Sequence, residues 1–477
     1  MKRFSIVSKS LVALGVFLAA DIASPAVAQS QTKQTTEKLA ELCRKYDVPA
    51  MTAAVVNAKG LVKAECFGDR KRGTTDKVQL SDRFPIGSNT KSMTATLAAV
   101  LMEAGRIEWN TTIGEVWPEA TNRDIHPKLR TVTLDQLLSH QSGLPANISD
   151  ISAQAWAGFF KEKQSPALER KRMVKLVLAK APSQTQGRFA YSNLGYAVAS
   201  AMLETRGGDS FESLMKNHVF APLKMDSADF RSMKSAKRLR PPLLWGHQAS
   251  SGEPVDPRNV AAENPTVYAA AGTVHVSIED YAKYAIWHLA GKPAPLLKTQ
   301  EAFDTLHEPA VDYAGGDKYG RGWVCSDTDL GLALSHSGSN TNTFAVITVI
   351  PESDFAAIVC ANSGQSKAFA ACNEMTRHLK AHLTTTNSGA AKVTPDRLVG
   401  KYELIPSFVF DVSLQDGHLL VGITNQPTQE VFADSPTLWS YRGVDAQLEF
   451  HLRAKGPAYA LTLHQNGAAQ KAKRVRE

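Results

Sequence analysis

A serine and a lysine that could act as a nucleophile and its base lie three residues apart, as Ser88 and Lys91 of the tetrapeptide SNTK. Residues at this spacing share one face of a helix, so their side chains can touch. The lysine amine could then accept the proton of the serine hydroxyl, which alone is a poor nucleophile. The spacing is not specific by itself, because Ser-x-x-Lys also begins at Ser30 and at Ser213.

Two further motifs set the first tetrapeptide apart from the others. The chain contains one Tyr-x-Asn, from Tyr191 to Asn193, and one Lys/His-Ser/Thr-Gly, which is formed by His336, Ser337 and Gly338. Each of these residues, taken singly, would more often be structural. Together with the tetrapeptide, in this order and at domain-scale separations, they are improbable by chance. We therefore interpret the three motifs as parts of one catalytic site.

The expected local structure would tune these groups. We place Ser88 in the first turn of a helix, where the backbone N–H groups disfavour a nearby cation. Burial disfavours the ammonium as well, so both effects should favour a neutral amine at Lys91. Tyr191 precedes a helical segment, and cationic neighbours should lower its pKa from the reference value of about 10. Gly338 lies beside a strand end, where it would let a substrate backbone approach closely.

Other chemistries find no support in the chain. It has no Gly-x-Ser-x-Gly elbow, no His-Glu-x-x-His, no phosphate-binding loop and no dinucleotide fingerprint. The formal charge of +8 is spread along the chain, which argues against a nucleic-acid partner. His378 and His382 have metal-compatible spacing but no further ligand nearby, and the five cysteines include no Cys-x-x-Cys pair. We expect no metal and no cofactor, and we expect most cysteines to be small buried apolar residues.

The first 28 residues have the features of a cleavable signal peptide. Lys2, Arg3 and Lys9 precede an apolar run, and residues 26–28 (Ala-Val-Ala) match the small-x-small pattern before a cleavage site. Asp21 ends the apolar run, which is too short for a stable membrane span. We expect cleavage after Ala28 and a periplasmic or secreted protein.

The remaining pattern predicts an α+β fold with two domains. Strand-like segments at 50–57 and 61–67 follow a first amphipathic helix, and a long helical stretch separates them from strand-like segments at 319–324, 332–336, 343–350 and 355–361. A last helix, at about 367–383, completes this part. Such an order closes one antiparallel sheet from both chain ends, with helices on its faces and a helical lobe beside it.

A polar stretch after this part reads as a linker, and the rest of the chain as a small all-β domain. We assign the hydrolase-like domain to residues 29–384, the linker to 385–394 and the β-rich domain to 395–477. The strand-like segments of the last domain are 400–404, 408–414, 418–423, 447–452 and 459–464.

These motifs resemble the serine β-lactamase and penicillin-binding-protein superfamily, most closely its class C β-lactamase-like branch. That branch includes class C β-lactamases, DD-carboxypeptidases, esterases and D-aminopeptidases. The resemblance covers residues 34–384, and the tail resembles the lipocalin-like β domain appended to many members. It is carried by FPIGSNTK at 84–91, LLSHQSGLP at 137–145, FAYSN at 189–193, PLKM at 222–225 and YGRGW at 319–323.

The resemblance implies a role for each motif residue. Ser88 would be acylated, with Lys91 as its base or electrostatic partner, and Tyr191 would shuttle protons to the leaving group and activate the deacylating water. Asn193 would hold Lys91 and a substrate amide. His336 and Ser337, with Gly338 beside them, would face the substrate carboxylate, and the backbone N–H groups of Ser88 and Ser339 would form the oxyanion hole.

One departure bears on the substrate. Class C β-lactamases usually have Lys where this chain has His336, and a histidine is only partly charged near neutral pH. The resemblance therefore implies hydrolysis more firmly than β-lactamase activity. The substrate, a small molecule or a peptide, stays open among β-lactams, D-Ala-D-Ala peptides, esters and D-amino-acid amides. The rival interpretation is a non-catalytic or slowly acylated binder of cell-wall peptides or β-lactams.

Overall fold

The computed structural model describes residues 25–161, 164–230, 244–259, 262–328, 330–386, 394–415, 417–424, 426–442, 444, 446–452, 456–465 and 468–475. The predicted signal peptide lies almost entirely outside these residues, and so does most of the predicted linker. Cleavage after Ala28 and the domain boundaries therefore stay predictions.

One eight-stranded antiparallel sheet forms the centre of the first part of the chain, in the order β2-β1-β13-β12-β11-β10-β9-β8. Its first and last strands in sequence, β1 and β13, pair with each other, so the sheet is closed from both chain ends as the pattern predicted. The strands are β1 Ala50–Asn57, β2 Gly60–Gly68, β8 Val311–Asp312, β9 Lys318–Tyr319, β10 Val324–Thr328, β11 Gly331–Ser339, β12 Phe344–Ile350 and β13 Phe355–Ala361.

Helices cover both faces of this sheet. Helix α1 (Pro25–Lys45) and the last helix, α12 (Ser366–Thr386), enclose one apolar cluster, and α10 (Ile278–Ala290) packs on the other face against β1 and β13. Every residue of β13 is buried, as a strand covered on both faces requires. Four of the five cysteines are buried and all five are free thiols, in agreement with their interpretation as small apolar residues.

The helical lobe lies between β2 and β8 in the chain and carries two of the three motifs. Its helices are α2 Thr90–Glu103, α3 Ile113–Val116, α4 Leu134–Leu138, α5 Ala153–Phe159, α6 Pro166–Leu178, α7 Asn193–Gly207, α8 Phe211–Met215, α9 Ala269–Gly272 and α11 Gln300–Thr305. Short strands join the lobe to the sheet region, namely β3 Arg83–Pro85, β4 Asp229–Phe230, β5 Gly246–His247, β6 Pro254–Val255 and β7 Val274–Ser277. None of the helices in the described residues is both long and apolar enough to cross a membrane.

The C-terminal part is a closed antiparallel barrel of eight strands with its own apolar core. The sequence pattern predicted five of these strands and missed β17, β18 and β21. The missed strands are short or follow one another through polar turns, so their alternation is hard to see. The strands are β14 Gly400–Ile405, β15 Phe408–Gln415, β16 His418–Ile423, β17 Gln429–Ala433, β18 Leu438–Tyr441, β19 Ala446–His451, β20 Ala460–Gln465 and β21 Ala468–Arg474.

One strand prediction in the first part is wrong. The segment 319–324 was expected to be continuous, but β9 ends at Tyr319 and β10 begins at Val324. Gly322, between them, has φ +81°, and a Cβ there would lie 2.5 Å from the backbone nitrogen of Ser92. The chain leaves the sheet here in order to pack closely against α2.

Candidate active site

The serine of the first motif lies in a tight turn that leads directly into α2. Gly87 to Asn89 form a 3₁₀ turn, and α2 begins at Thr90. Gly87 has φ +53°, and a Cβ there would lie 2.4 Å from the backbone nitrogen of Ser339 at the end of β11. A side chain at Gly87 would therefore push the nucleophile turn away from the strand that carries the third motif.

Gly338 lies against the turn that carries Ser88. A Cβ at this position would lie 2.1 Å from the carbonyl oxygen of Ile86 and 2.6 Å from the backbone nitrogen of Ser88. The glycine thus lets β11 pack against the turn that carries Ser88. The close approach it permits is between two segments of the protein.

The side chain of Lys91 makes three hydrogen-bond contacts, one of them with Ser88. Its Nζ is 3.1 Å from Ser88 Oγ, 2.8 Å from Asn193 Oδ1 and 2.8 Å from the carbonyl oxygen of Ala271. Ala271 belongs to α9, which is held against α2 by the hydroxyl of Thr94 donating to the Ala270 carbonyl. The two oxygens of Asn193 and Ala271 can each accept one N–H of a neutral amine, which leaves the nitrogen lone pair for the Ser88 hydroxyl.

Lys91 is fully buried, and burial holds its pKa well below the usual lysine range. Its three partners are all neutral groups. The expectation of a neutral amine is therefore supported by burial.

Tyr191 contacts both Ser88 and Lys91. Its hydroxyl is 2.7 Å from Ser88 Oγ, and its ring centre is 4.7 Å from Lys91 Nζ. Burial raises the pKa of Tyr191, even though 36% of the residue is exposed, and the hydrogen bond to Ser88 opposes that shift only in part. The expectation of a lowered pKa is wrong, because the nearest basic group, Lys91, is itself uncharged. The side chain is a neutral phenol.

Asn193 is oriented by the loop after α4. Its Nδ2 donates to Asn147 Oδ1 at 2.9 Å, so its Oδ1 faces Lys91. Its backbone N–H donates to the carbonyl of Ala146, and Ser192 caps α7 by accepting from the N–H of Gly195. The predicted contact with Lys91 is present. The amide hydrogens are directed toward Asn147, and a contact between Asn193 and a substrate amide stays a prediction.

His336 does not act as a cation in this structure. Its Nδ1 donates to the carbonyl of Ser337 at 2.6 Å, which leaves Nε2 to accept from the hydroxyl of Tyr319 at 3.2 Å. The residue is buried, and burial lowers its pKa to about 3. Partial charge near neutral pH, as the reference pKa suggested, is therefore wrong for this imidazole.

Ser337 and Ser339 lie at the C-terminal end of β11. Ser337 is exposed while its neighbours His336 and Gly338 are buried, as alternation along β11 requires. The backbone nitrogen of Ser339 lies beside Gly87, next to Ser88. The two backbone N–H groups expected to form an oxyanion hole thus belong to two segments in contact.

Sequence reasoning missed a histidine beneath Tyr191. His140 follows α4, has φ +62° and is fully buried. Its ring centre is 4.3 Å from that of Tyr191 and 4.9 Å from that of Tyr319. Its Nδ1 accepts the N–H of Ser192 at 3.0 Å, so the proton resides on Nε2, which meets no acceptor among the described residues. The phrase at 137–145 was visible in the sequence, but its spacing did not tell which side chain enters the site.

Of the other two Ser-x-x-Lys matches, the one at Ser213 forms no comparable site in the described residues. Ser213 lies in α8, where its hydroxyl accepts from Ser210, the residue that caps this helix. The side chain of Ser30 lies outside the part of the chain that the structure describes. Within that part, no group of three or more histidine, cysteine, aspartate and glutamate residues could hold a metal ion.

The family model described as "Beta-lactamase" matches residues 29–381. The unguisins hydrolase ungD of Aspergillus violaceofuscus is 26% identical over 250 residues, which are 51% of this chain and 42% of the relative, so the match spans less than half of that protein. Penicillin-binding protein 4 of Amycolatopsis lactamdurans is 25% identical over 347 residues, which are 70% of this chain and 86% of the relative.

The fold comparison extends over almost the whole molecule. The solved structure of the octameric penicillin-binding protein homologue from Pyrococcus abyssi superposes with a TM-score of 0.61 at 20% identity, and covers 94% of this chain and 100% of the other. That match shows the fold. Since the family model spans most of the sequence and contains all three motifs, the chain belongs to the beta-lactamase family.

Proposed function

We propose that the protein is an exported serine hydrolase that forms an acyl-enzyme at Ser88 with amide, ester or β-lactam carbonyls. The observation that carries the proposal is the arrangement around one hydroxyl: Ser88 Oγ lies 3.1 Å from the buried amine of Lys91 and 2.7 Å from the phenol of Tyr191. A nucleophile between a neutral base and a proton donor is what acyl transfer requires. Export rests on the signal-like sequence of residues 1–28.

In the proposed acylation, Ser88 Oγ gives its proton to Lys91 Nζ and forms a bond to the substrate carbonyl carbon. The charge that develops on the carbonyl oxygen is stabilised by the backbone N–H groups of Ser88 and Ser339, an effect worth several kcal/mol in hydrolases. Tyr191 donates its proton to the leaving nitrogen or oxygen as the bond to the carbonyl carbon breaks. The proton held by Lys91 then restores the phenol. The net result is the transfer of one proton from Ser88 to the leaving group.

Hydrolysis of the acyl-enzyme runs through the same groups. A water molecule gives up a proton to the neutral amine of Lys91, relayed through the Tyr191 hydroxyl, while its oxygen bonds to the acyl carbon. The bond to Ser88 Oγ then breaks, and the serine recovers a proton as the acid product leaves. Asn193 and the Ala271 carbonyl hold the amine in place through both halves of the reaction.

The state of His336 bears on the choice of substrate. A neutral imidazole whose two nitrogens are engaged by Ser337 and Tyr319 offers no charge to a substrate carboxylate. Neutral amides and esters need no such charge, whereas β-lactams and C-terminal peptides carry a carboxylate. The relatives include a hydrolase of unguisins and a penicillin-binding protein, so their names alone do not decide between these classes.

The test is covalent labelling. Incubation with p-nitrophenyl butyrate or with a penicillin should add one acyl group to the peptide that contains Ser88, and Ser88→Ala should abolish the label. Ser213→Ala is the matched control, because it removes the serine of another Ser-x-x-Lys in a described helix, and it should retain the label. Label that persists in Ser88→Ala would overturn the assignment.

Turnover of the same reagents separates the hydrolase from its rival. A p-nitrophenyl ester, a chromogenic cephalosporin and a D-Ala-D-Ala peptide should be compared on one preparation. Continued release of product supports a hydrolase, whereas one equivalent of product followed by no turnover supports a slowly acylated binder.

A further inference from the structure

Three aromatic side chains that reach the surface lie together beside Ser88, and we call them the aromatic wall: Phe189, Tyr191 and Tyr313. Tyr191 is 36% exposed and Tyr313 is 37% exposed. The ring centres of Phe189 and Tyr313 are 4.9 Å apart in an edge-to-face arrangement. The His140 ring links Tyr191 to this pair, since its centre lies 4.3 Å from that of Tyr191 and 5.6 Å from that of Phe189.

Buried rings hold the wall from behind. Tyr319 lies 5.3 Å from Phe189 and 6.1 Å from Tyr313 between ring centres, and His140 lies 5.6 Å from Phe189. Both supporting residues are buried. An apolar group that binds the wall would therefore meet rings that are already in place, so little conformational freedom would be lost on binding.

The turn between β8 and β9 fixes the position of Tyr313. Its backbone N–H donates to the carbonyl of Asp317 at 2.9 Å, and the turn contains Gly315 and Gly316 with φ +71° and +88°. No atom lies within 4 Å of a Cβ built at either glycine, so the glycines serve the tight turn and not the packing around it. From this turn the Tyr313 ring packs on Phe189.

The role of Tyr191 as a proton donor indicates which part of a substrate would contact the aromatic wall. In the proposed mechanism Tyr191 donates a proton to the leaving nitrogen or oxygen, so its hydroxyl faces the leaving-group side of the scissile bond. Phe189 is two residues before Tyr191 in the same extended segment, and Tyr313 packs on Phe189. Exposed aromatic faces beside a reacting centre are typical of binding sites for apolar groups.

We propose that the aromatic wall binds an apolar or aromatic group on the leaving-group side of the scissile bond. The enzyme then selects amides or esters whose amine or alcohol portion carries such a group. This inference rests on the proposed function, because it uses the role of Tyr191 as the proton donor to the leaving group.

The experiment compares two esters of one acyl group. Ethyl butyrate and 2-phenylethyl butyrate form the same acyl-enzyme and release alcohols of similar acidity, so they differ mainly in what the wall would contact. The full-length protein should prefer the phenylethyl ester. Tyr313→Ala should lower the ratio of the two kcat/KM values by about tenfold, the effect expected of one lost aromatic contact with its buried area. Tyr313→Phe should keep most of the preference.

Two further measurements complete the test. The rate of deacylation should be measured on the butyryl-enzyme made from p-nitrophenyl butyrate. It should be the same in the wild-type protein and in Tyr313→Ala, because the leaving group has already departed. Leu176→Ala, which truncates an apolar side chain of α6 that is 41% exposed, controls for a general effect of removing surface apolar atoms and should leave the ratio unchanged.

An equal loss for both esters in Tyr313→Ala would overturn the inference, and so would a loss that follows the length of the acyl chain. Failure of the proposed function looks different. In that case the wild-type protein would show neither acylation at Ser88 nor turnover of either ester, and no preference could be measured.

Discussion

Two fully buried basic side chains, Arg170 in α6 and Lys91 in α2, have opposite surroundings. Arg170 makes ion pairs with Glu204 at 2.6 Å and with Glu212 at 2.9 Å. Burial opposes its charge, but the two carboxylates outweigh burial and raise the pKa of Arg170. Lys91 has only a hydroxyl, an amide oxygen and a carbonyl oxygen as partners, and burial lowers its pKa.

The comparison shows that partners, more than burial itself, decide what a buried basic group does. The guanidinium joins α6 to the end of α7 and to α8, so its charge is part of what holds the helical lobe together. The amine is left without a counter-charge beside a serine hydroxyl, where the uncharged form can accept a proton. Arg170 is buried with two carboxylates that balance its charge, and it stabilises the lobe. Lys91 is buried without a carboxylate, and it can act as a base.

The largest expected effect is the loss of catalysis in Lys91→Met. Removing the base should lower the rate of acylation by p-nitrophenyl butyrate by about a thousandfold or more. Any loss of stability should be smaller than that of a broken buried ion pair, because only neutral acceptors lose their donor and an apolar side chain of similar length fills the site. Stopped-flow acylation and urea unfolding check the two parts. The double variant with Ser88→Ala should lose little more than either single variant.

A contrary result would be informative. If Lys91→Met destabilised the protein as strongly as the loss of a buried ion pair does, Lys91 would have to be charged and paired in the native state. The contrast with Arg170 would then fail.

The sequence carried enough information to bring the main residues together. Ser88 lies within hydrogen-bond distance of Lys91 and of Tyr191, and Lys91 lies within hydrogen-bond distance of Asn193, as the motifs predicted. Short motifs can be recognised in a sequence because their spacing is fixed by one turn of helix or one strand. The closure of the sheet from both chain ends could be predicted for a similar reason, since β1 and β13 each have a clear apolar pattern.

What the sequence did not tell depends on long-range packing. The acceptor for Lys91 is the backbone carbonyl of Ala271, and no side chain signals it. The direction of the Tyr191 pKa shift depends on how much protein surrounds the phenol, which spacing does not reveal. Alternation along β11 could have shown that His336 and Ser337 face opposite sides, although not that His336 would be buried.

The second effect concerns stability and should appear in Arg170→Met. This change leaves Glu204 and Glu212 without their partner, so the free energy of unfolding should fall by about 3 kcal/mol. Arg258→Met is the control, because Arg258 pairs with Asp256 at 2.6 Å, yet 65% and 36% of the two side chains are exposed. An exposed pair contributes at most about 1 kcal/mol. Equal losses in the two variants would show that burial of the pair is not what matters.

The third effect is acid sensitivity from a buried pair of histidines. His288 Nδ1 and His307 Nε2 are 2.7 Å apart, and burial lowers the pKa of His307 to about 4. Below pH 6.5 the unfolded chain binds a proton that the native state refuses until about pH 4. The free energy of unfolding should therefore fall as pH falls through this window, by up to about 3 kcal/mol.

His307→Gln should make the pH dependence of unfolding shallower between pH 6.5 and 4, because it removes one of the groups that titrates only in the unfolded chain. His218→Gln, at an exposed position in the helical lobe, is the control and should leave the slope unchanged. Parallel curves for the wild type and His307→Gln, measured by urea unfolding at several pH values, would contradict the assignment.

The smallest effect tests whether a third buried base, His140, serves chemistry as Lys91 does or structure as Arg170 does. His140 has no charged partner, and burial lowers its pKa well below the usual range. Its ring supports Tyr191 at 4.3 Å between ring centres, while its Nδ1 holds the N–H of Ser192. His140→Asn keeps the acceptor and tolerates the positive φ, but it removes the ring. We expect the protein to fold and kcat/KM to fall by about tenfold, as for one lost aromatic contact.

A pH profile separates positioning from mere packing. Removal of the ring should admit water beside the phenol, so the pKa of Tyr191 should move back down toward its ordinary value and the alkaline limb of kcat/KM should shift to lower pH. A purely structural role would lower the rate at every pH by the same factor. If His140→Asn leaves both the rate and the alkaline limb unchanged, Tyr191 is held in place by its hydrogen bond to Ser88 alone. The histidine would then belong with Arg170 on the structural side of the comparison.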